Sequence, residues 1–170
     1  MTGHDLLVDA FGRVHEEVHA AVEGLSVEQL HRRLDQDANP IGWLVWHLTR
    51  VQDDHVADVA GLEQVWTAQN WEQKFSSPYP TGSVGYGQTS AEVAELRVPS
   101  VEVLTGYHDA VHAQTVAYVS GLTDKDFDKI VDKRWDPPVT LGVRLVSVLS
   151  DTLQHVGQAA YARGIVLRES

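Results

Sequence analysis

The chain has 170 residues, no cysteine, and a formal net charge of −11 from 24 acidic and 13 basic side chains. That length suffices for one domain with its own hydrophobic core, and 43% hydrophobic with 22% charged residues marks a globular rather than a disordered chain. The acidic balance and scattered basic residues argue against nucleic acid or an anionic membrane surface as partner, and without cysteine there is no disulfide framework and no internal thiol to act as nucleophile or ligand.

The opening MTGHDLLVDAFGRVHEE has no basic start followed by an unbroken apolar run, so it does not read as a secretion signal. No apolar stretch is long enough to span a bilayer. A cytoplasmic protein is the expectation.

A first helix is predicted from about Leu6 to Leu25, where Leu7, Phe11, Val14, Val18, Ala21 and Leu25 recur at three- and four-residue steps. A short polar stretch follows, in which Ser26 and Gln29 fit a capping box. Asn39-Pro40 reads as a cap and first turn for a second helix, running from Ile41 to about Ala60 and stopped by Gly61. Residues 61–99 form a long crossover linker carrying Trp66, Trp71, Phe75 and the Pro/Gly-rich run after Pro78; loops of this length are usually functional or mobile. Such a linker can simply bury its aromatics across the bundle, or also form one wall of a site. A third helix is expected from about Val101 to Val119, and a fourth from Thr140-Leu141, with Gly164 as its cap.

No segment alternates as a half-buried strand should over any useful length. The expected fold is all-α, a single domain over residues 1–170, built as a four-helix bundle with the long linker between two helix pairs. An internal duplication points the same way. Gly24-Leu25-Ser26 and Gly121-Leu122-Thr123 each end a long helix and precede a short polar stretch. Each half then reaches proline and an aliphatic-glycine pair, Ile41-Gly42 or Leu141-Gly142, before a new apolar helix.

The candidate chemistry lies in two apolar helices. Asp151 and His155 are four residues apart within the run from Leu145 to Gly157, so both project from one helical face. A carboxylate in such surroundings is costly unless paired, hydrogen-bonded or bound to metal. His47 sits in the equally apolar WLVWHL segment of the second helix, the expected neighbour of the fourth. Two imidazoles and a carboxylate suit Zn²⁺, Ni²⁺ or Fe²⁺ and leave coordination positions open, as catalytic sites do. An Asp–His pair at this spacing is, however, more often an ion pair or hydrogen-bonded core pair than a metal site.

Asp54, seven residues after His47, is a candidate to orient an imidazole, against a solvated helix end formed with Asp53, His55 and Asp58. Arg144, seven before Asp151, is a candidate substrate contact, with a salt bridge to Asp151 or a neighbouring acid as its structural alternative. His15 and His19, flanked by Glu16 and Glu17, read as a solvated face, and His108 and His112 as surface or boundary residues, with a substrate contact as the lesser alternative. There is no Gly-x-Ser-x-Gly elbow and no phosphate-binding glycine loop.

The stretch from Ile41 to Leu48, the run from Asp151 through His155 to Gln158, and the ending Tyr161-Ala162-Arg163-Gly164 together resemble the DinB/YfiT-like superfamily. The Gly85-Tyr86-Gly87-Gln88-Thr89 loop and the Trp-rich linker look like its actinobacterial, mycothiol-associated branch. The resemblance implies a four-helix bundle holding a divalent metal, zinc or nickel, on His47, Asp151 and His155, with Gln158 beside the ligands. Many members have histidine where this chain has Asp151; an acid there, usually glutamate, is found in members similar to the mycothiol-dependent maleylpyruvate isomerase. The implied activity is transfer of a small-molecule thiol such as mycothiol to an electrophile, or thiol-assisted isomerisation. Two alternatives remain beside it: a stress-associated binding protein without metal, and a metal-dependent hydrolase. A homodimer paired through apolar bundle faces is a further expectation.

Overall fold

A computed structural model describes residues 1–169. Four long helices form the frame: α1 (Gly3–Val22), α3 (Ile41–Ala60), α7 (Val101–Ser120) and α8 (Leu141–Val166). Between them lie short helices α2 (Val27–His31), α4 (Val65–Ala68), α5 (Trp71–Phe75) and α6 (Ser90–Glu95). A 3-10 turn (Asp126–Asp128) and a two-stranded antiparallel ribbon, β1 (Ile130–Asp132) with β2 (Val139–Thr140), precede α8.

Local chemistry explains most boundaries. Thr2, Ser26 and Thr89 each close a capping box at the start of α1, α2 and α6, and Thr140 caps α8 through its hydroxyl. Gly61 ends α3 in the left-handed region at φ 65°, where a side chain would be strained. Two sequence expectations need correction. Gly164 does not stop the last helix, which runs on to Val166. The polar stretch after Thr123, read as the counterpart of α2, instead forms the 3-10 turn and β1. Asp126 accepts hydrogen bonds from the Thr123 amide and hydroxyl, a helix-start pattern that here opens only the 3-10 turn before β1.

The long helices pack in a ring: α1 touches α7 and α8, and α3 touches the same two, so α1 and α3 lie across the bundle from each other. The most extensive contact joins α3 to α8, the second long helix of each half of the chain. α3 is buried almost all round, including His47, Thr49, Arg50, Gln52 and Asp53. A helix apolar on every side requires a cover on its outer face, and the linker supplies it. Trp66 and Tyr79 pack on Trp46, Phe75 packs on Trp66, and Val98 closes over Gly42. Fully burying an aromatic side chain removes roughly 150–250 Å² from water. The linker is therefore a second layer of the core, with its backbone passing over α3. Among the described residues no helix is long and apolar enough to cross a membrane.

Candidate metal centre

His47 lies on the α3 face turned toward α8, which brings Asp151 and His155 to it. A ligand atom from each of the three lies within 4.8 Å of the others. The His47 and His155 rings meet edge-on with centroids 4.7 Å apart, and His155 Nε2 stands 3.6 Å from Asp151 Oδ1. His47 is buried, whereas the Asp151 and His155 side chains are 36% and 20% exposed, so the group opens toward solvent on the α8 side.

Both imidazoles are oriented through Nδ1. That of His47 is hydrogen-bonded to the Val84 carbonyl, and that of His155 lies 2.8 Å from Gln158 Oε1. Each partner oxygen can only accept, so Nδ1 carries the hydrogen on both rings and Nε2 keeps its lone pair. Asp151 Oδ2 is buried without a hydrogen-bond partner, a costly state for a carboxylate oxygen that nothing coordinates. Burial lowers the His47 pKa despite the Val84 bond. The Asp151 carboxylate facing Nε2 raises that of His155 by favouring its charged form. Burial pushes the Asp151 carboxyl up, but the facing His155 side chain, with His47 and His55 nearby, holds it below its usual value.

The profile of the DinB superfamily matches residues 10–159 of the chain. The chain belongs to the DinB superfamily. A solved structure described as a conserved protein from Enterococcus faecalis is similar, with a TM-score of 0.92 and 29% identity over 98% of each chain. No curated protein matches. DinB-superfamily proteins generally bind metal, and this one carries His/Asp groups that could hold an ion.

The remaining candidate residues lie around this group. Gln158 is hydrogen-bonded to His155, beside the His47/Asp151/His155 group. Asp54 does not orient His47; its Oδ1 accepts from Gln64 Nε2 at 2.7 Å, and the Val84 carbonyl takes the orienting role. Arg144 is tied to Asp132 at 3.2 Å and Asp58 at 3.8 Å, and it faces His55 Nδ1. Its guanidinium is thus committed to neighbouring acids, not to Asp151. The acids after His47 are not simply a solvated end either, because Asp53 is buried and accepts from the Val65 and Trp66 amides and the Tyr107 hydroxyl.

One residue that supports this group is not among the sequence candidates. Arg50 is fully buried and donates to the Ser83 and Thr81 carbonyls, Gln64 and Tyr107, with Asp53 at 3.5 Å. It fastens the loop whose next carbonyl, Val84, holds His47. A signal was present: an arginine inside the apolar WLVWHLTRV helix has to be paired, and Asp53 follows three residues later. Gly85 completes the contact at φ 90°, so close that a Cβ would stand 2.8 Å from His47 Nδ1. The linker is therefore one wall of the centre. Trp43 forms another side, stacked on His47 with centroids 4.7 Å apart and donating Nε1–H to Gln88 in the same loop.

Proposed function

We propose that this chain is a metal-dependent thiol transferase, or thiol-assisted isomerase, acting on small electrophiles with a mycothiol-type thiol. His47 and His155 through Nε2, and Asp151 through its carboxylate, would hold a divalent cation of the zinc or nickel kind. The observation that carries the reading is the pairing of two Nδ1-anchored imidazoles with a buried, unpartnered carboxylate oxygen. This is the arrangement metal-ligating histidines use, with the outer nitrogen donating to a fixed oxygen. When bound, such a cation supplies Lewis-acid stabilisation of a thiolate at neutral pH.

The chain's own groups do the rest. The Val84 carbonyl and Gln158 fix the two rings, Trp43 shields one face of His47 from water, and the exposed edge at Asp151 and His155 admits the reactants. The thiol has to arrive with a small molecule, since the chain has no cysteine. The Gly85–Thr89 loop, which with the Trp-rich linker carries the resemblance to the mycothiol-associated branch, packs on His47 through Gly85. A hydrolytic reading is weaker, because the bases open to it, Asp54 and His55, are engaged by Gln64 and Arg144.

The test is elemental analysis of tag-free wild type and His155→Ala, followed by thiol-consumption assays with mycothiol and small electrophiles. Near-stoichiometric divalent metal lost in the variant, with metal-dependent thiol consumption, is the expected result. Wild type that takes up neither Zn²⁺ nor Ni²⁺ would refute the catalytic reading and leave a binding module.

A further inference from the structure

A second group of ligand-type side chains lies across the bundle. His15 and His19 of α1 both direct Nε2 at one oxygen of Asp109 on α7, Oδ1, at 2.8 and 2.6 Å. A ligand atom from each of the three lies within 4.8 Å of the others, the same convergence as at the first centre. We propose that His15, His19 and Asp109 form a second divalent-cation site, suited by its two imidazoles to zinc-class ions and distinct from the His47 centre.

The two groups share a plan. At the first, α8 supplies two ligands four residues apart and α3 supplies one; at the second, α1 supplies the spaced pair and α7 the single ligand. The pairs α3–α8 and α1–α7 occupy opposite sides of the helix ring, so one ion cannot serve both. Spacing by four stacks the two imidazoles on one helical face, and only the packing of α1 on α7 brings the carboxylate between them.

The surroundings favour a cation over a closed hydrogen-bonded cluster. The His112 ring stacks on His15 with centroids 4.4 Å apart, yet its Nδ1 is buried without a partner. Fully buried His108 stacks on His15 from 5.7 Å, and its Nε2 also lacks a partner. Four imidazoles around one carboxylate therefore leave nitrogen lone pairs or N–H groups unanswered. His15 and His19 also line an open groove of about 650 Å³ shared with Glu16, Glu23 and Glu102. Acidic walls on a chain of net charge −11 concentrate cations there. Ligand atoms of a tetrahedral zinc ion stand about 3.3 Å apart. The observed 2.6 and 2.8 Å separations open to that by side-chain rotation, for which the 43% exposed His19 and 49% exposed Asp109 are free. Such a site would cross-link α1 to α7 and keep coordination positions open to the groove.

The test is equilibrium binding of Zn²⁺ to chelator-stripped, tag-free protein, wild type beside His155→Ala, His19→Ala, Asp109→Asn and the His155→Ala/His19→Ala double variant. Circular dichroism confirms that each is folded. Two equivalents in wild type, one in each His→Ala variant and none in the double variant are expected. Asp109→Asn keeps the side-chain shape and should weaken the second equivalent at least about tenfold, the lower end of what even an orienting partner contributes. In His155→Ala protein, Zn²⁺ should shift the Nε2 resonances of His15 and His19. The proposal is overturned if His155→Ala holds no zinc where wild type is saturated, or if the zinc it keeps is unaffected by His19→Ala. A single wild-type equivalent that follows His19 and not His155 would uphold this site while removing the first.

Discussion

Gly85→Ala isolates the contact between the linker and the candidate metal centre. The residue has φ 90°, and an added Cβ would stand 2.8 Å from His47 Nδ1, 2.9 Å from a Trp46 ring carbon and 3.0 Å from one of Trp43. A side chain in the left-handed half of the map costs about 1–2 kcal/mol. Forcing a methyl into a packed site costs about 1–3 kcal/mol more. The sum of about 2–5 kcal/mol lowers Tm by roughly 4–20 °C for a chain of this size. Relief of the clash lifts the Val84 carbonyl away from His47, and loss of an orienting acceptor weakens metal binding about 10–100-fold. Gly87→Ala is the control: its φ is 73°, but no atom lies within 4 Å of the added Cβ. It should show only the backbone cost of about 1–2 kcal/mol and unchanged metal affinity. Thermal unfolding by circular dichroism and zinc competition against a chromophoric chelator measure both effects. A Gly85→Ala protein as stable as Gly87→Ala, with wild-type metal affinity, would refute the argument.

Asp53→Ala leaves Arg50 buried without its counter-charge, and removing one partner of such a pair costs about 3–5 kcal/mol, readable by urea denaturation. Because Arg50 also holds Thr81 and Ser83, metal affinity should fall with stability. His31 accepts the Val98 amide on Nε2, which requires an unprotonated nitrogen, and burial with the Arg97 charge lowers its pKa. The unfolded chain therefore takes up this proton first. The contribution is complete above the unfolded pKa of about 6.5 and is lost as pH falls toward the lower folded value. Unfolding free energies at about pH 7.5 and about pH 5 should converge in His31→Gln, whose amide oxygen can still accept; an unchanged difference would count against the assignment. Arg144→Met removes charged bonds to Asp132 and Asp58 and should lose about 1–3 kcal/mol with metal affinity retained. Lost turnover at unchanged stability would instead make Arg144 a substrate contact.

The amino-acid sequence by itself determined the elements whose causes are local. The 3.6-residue periodicity marked all four long helices, Ser26 with Gln29 marked the start of α2, and Gly61 marked the end of α3. The Asp151/His155 pair was legible because its spacing lies within one helix. Tertiary structure decided what depends on how helices are rotated against one another. His15 and His19 read as a solvated face beside Glu16 and Glu17, and only the packing of α1 on α7 sets Asp109 between them. His108, read as a surface or boundary residue, is fully buried because the same packing encloses it. Arg144 could reach several acids within its length, and the fold of β1 chose Asp132. The orienting acceptor of His47 was beyond sequence reasoning for a plainer reason: it is the Val84 backbone carbonyl, a group every residue has, and only the Arg50 anchor and the Gly85 conformation bring it to the ring.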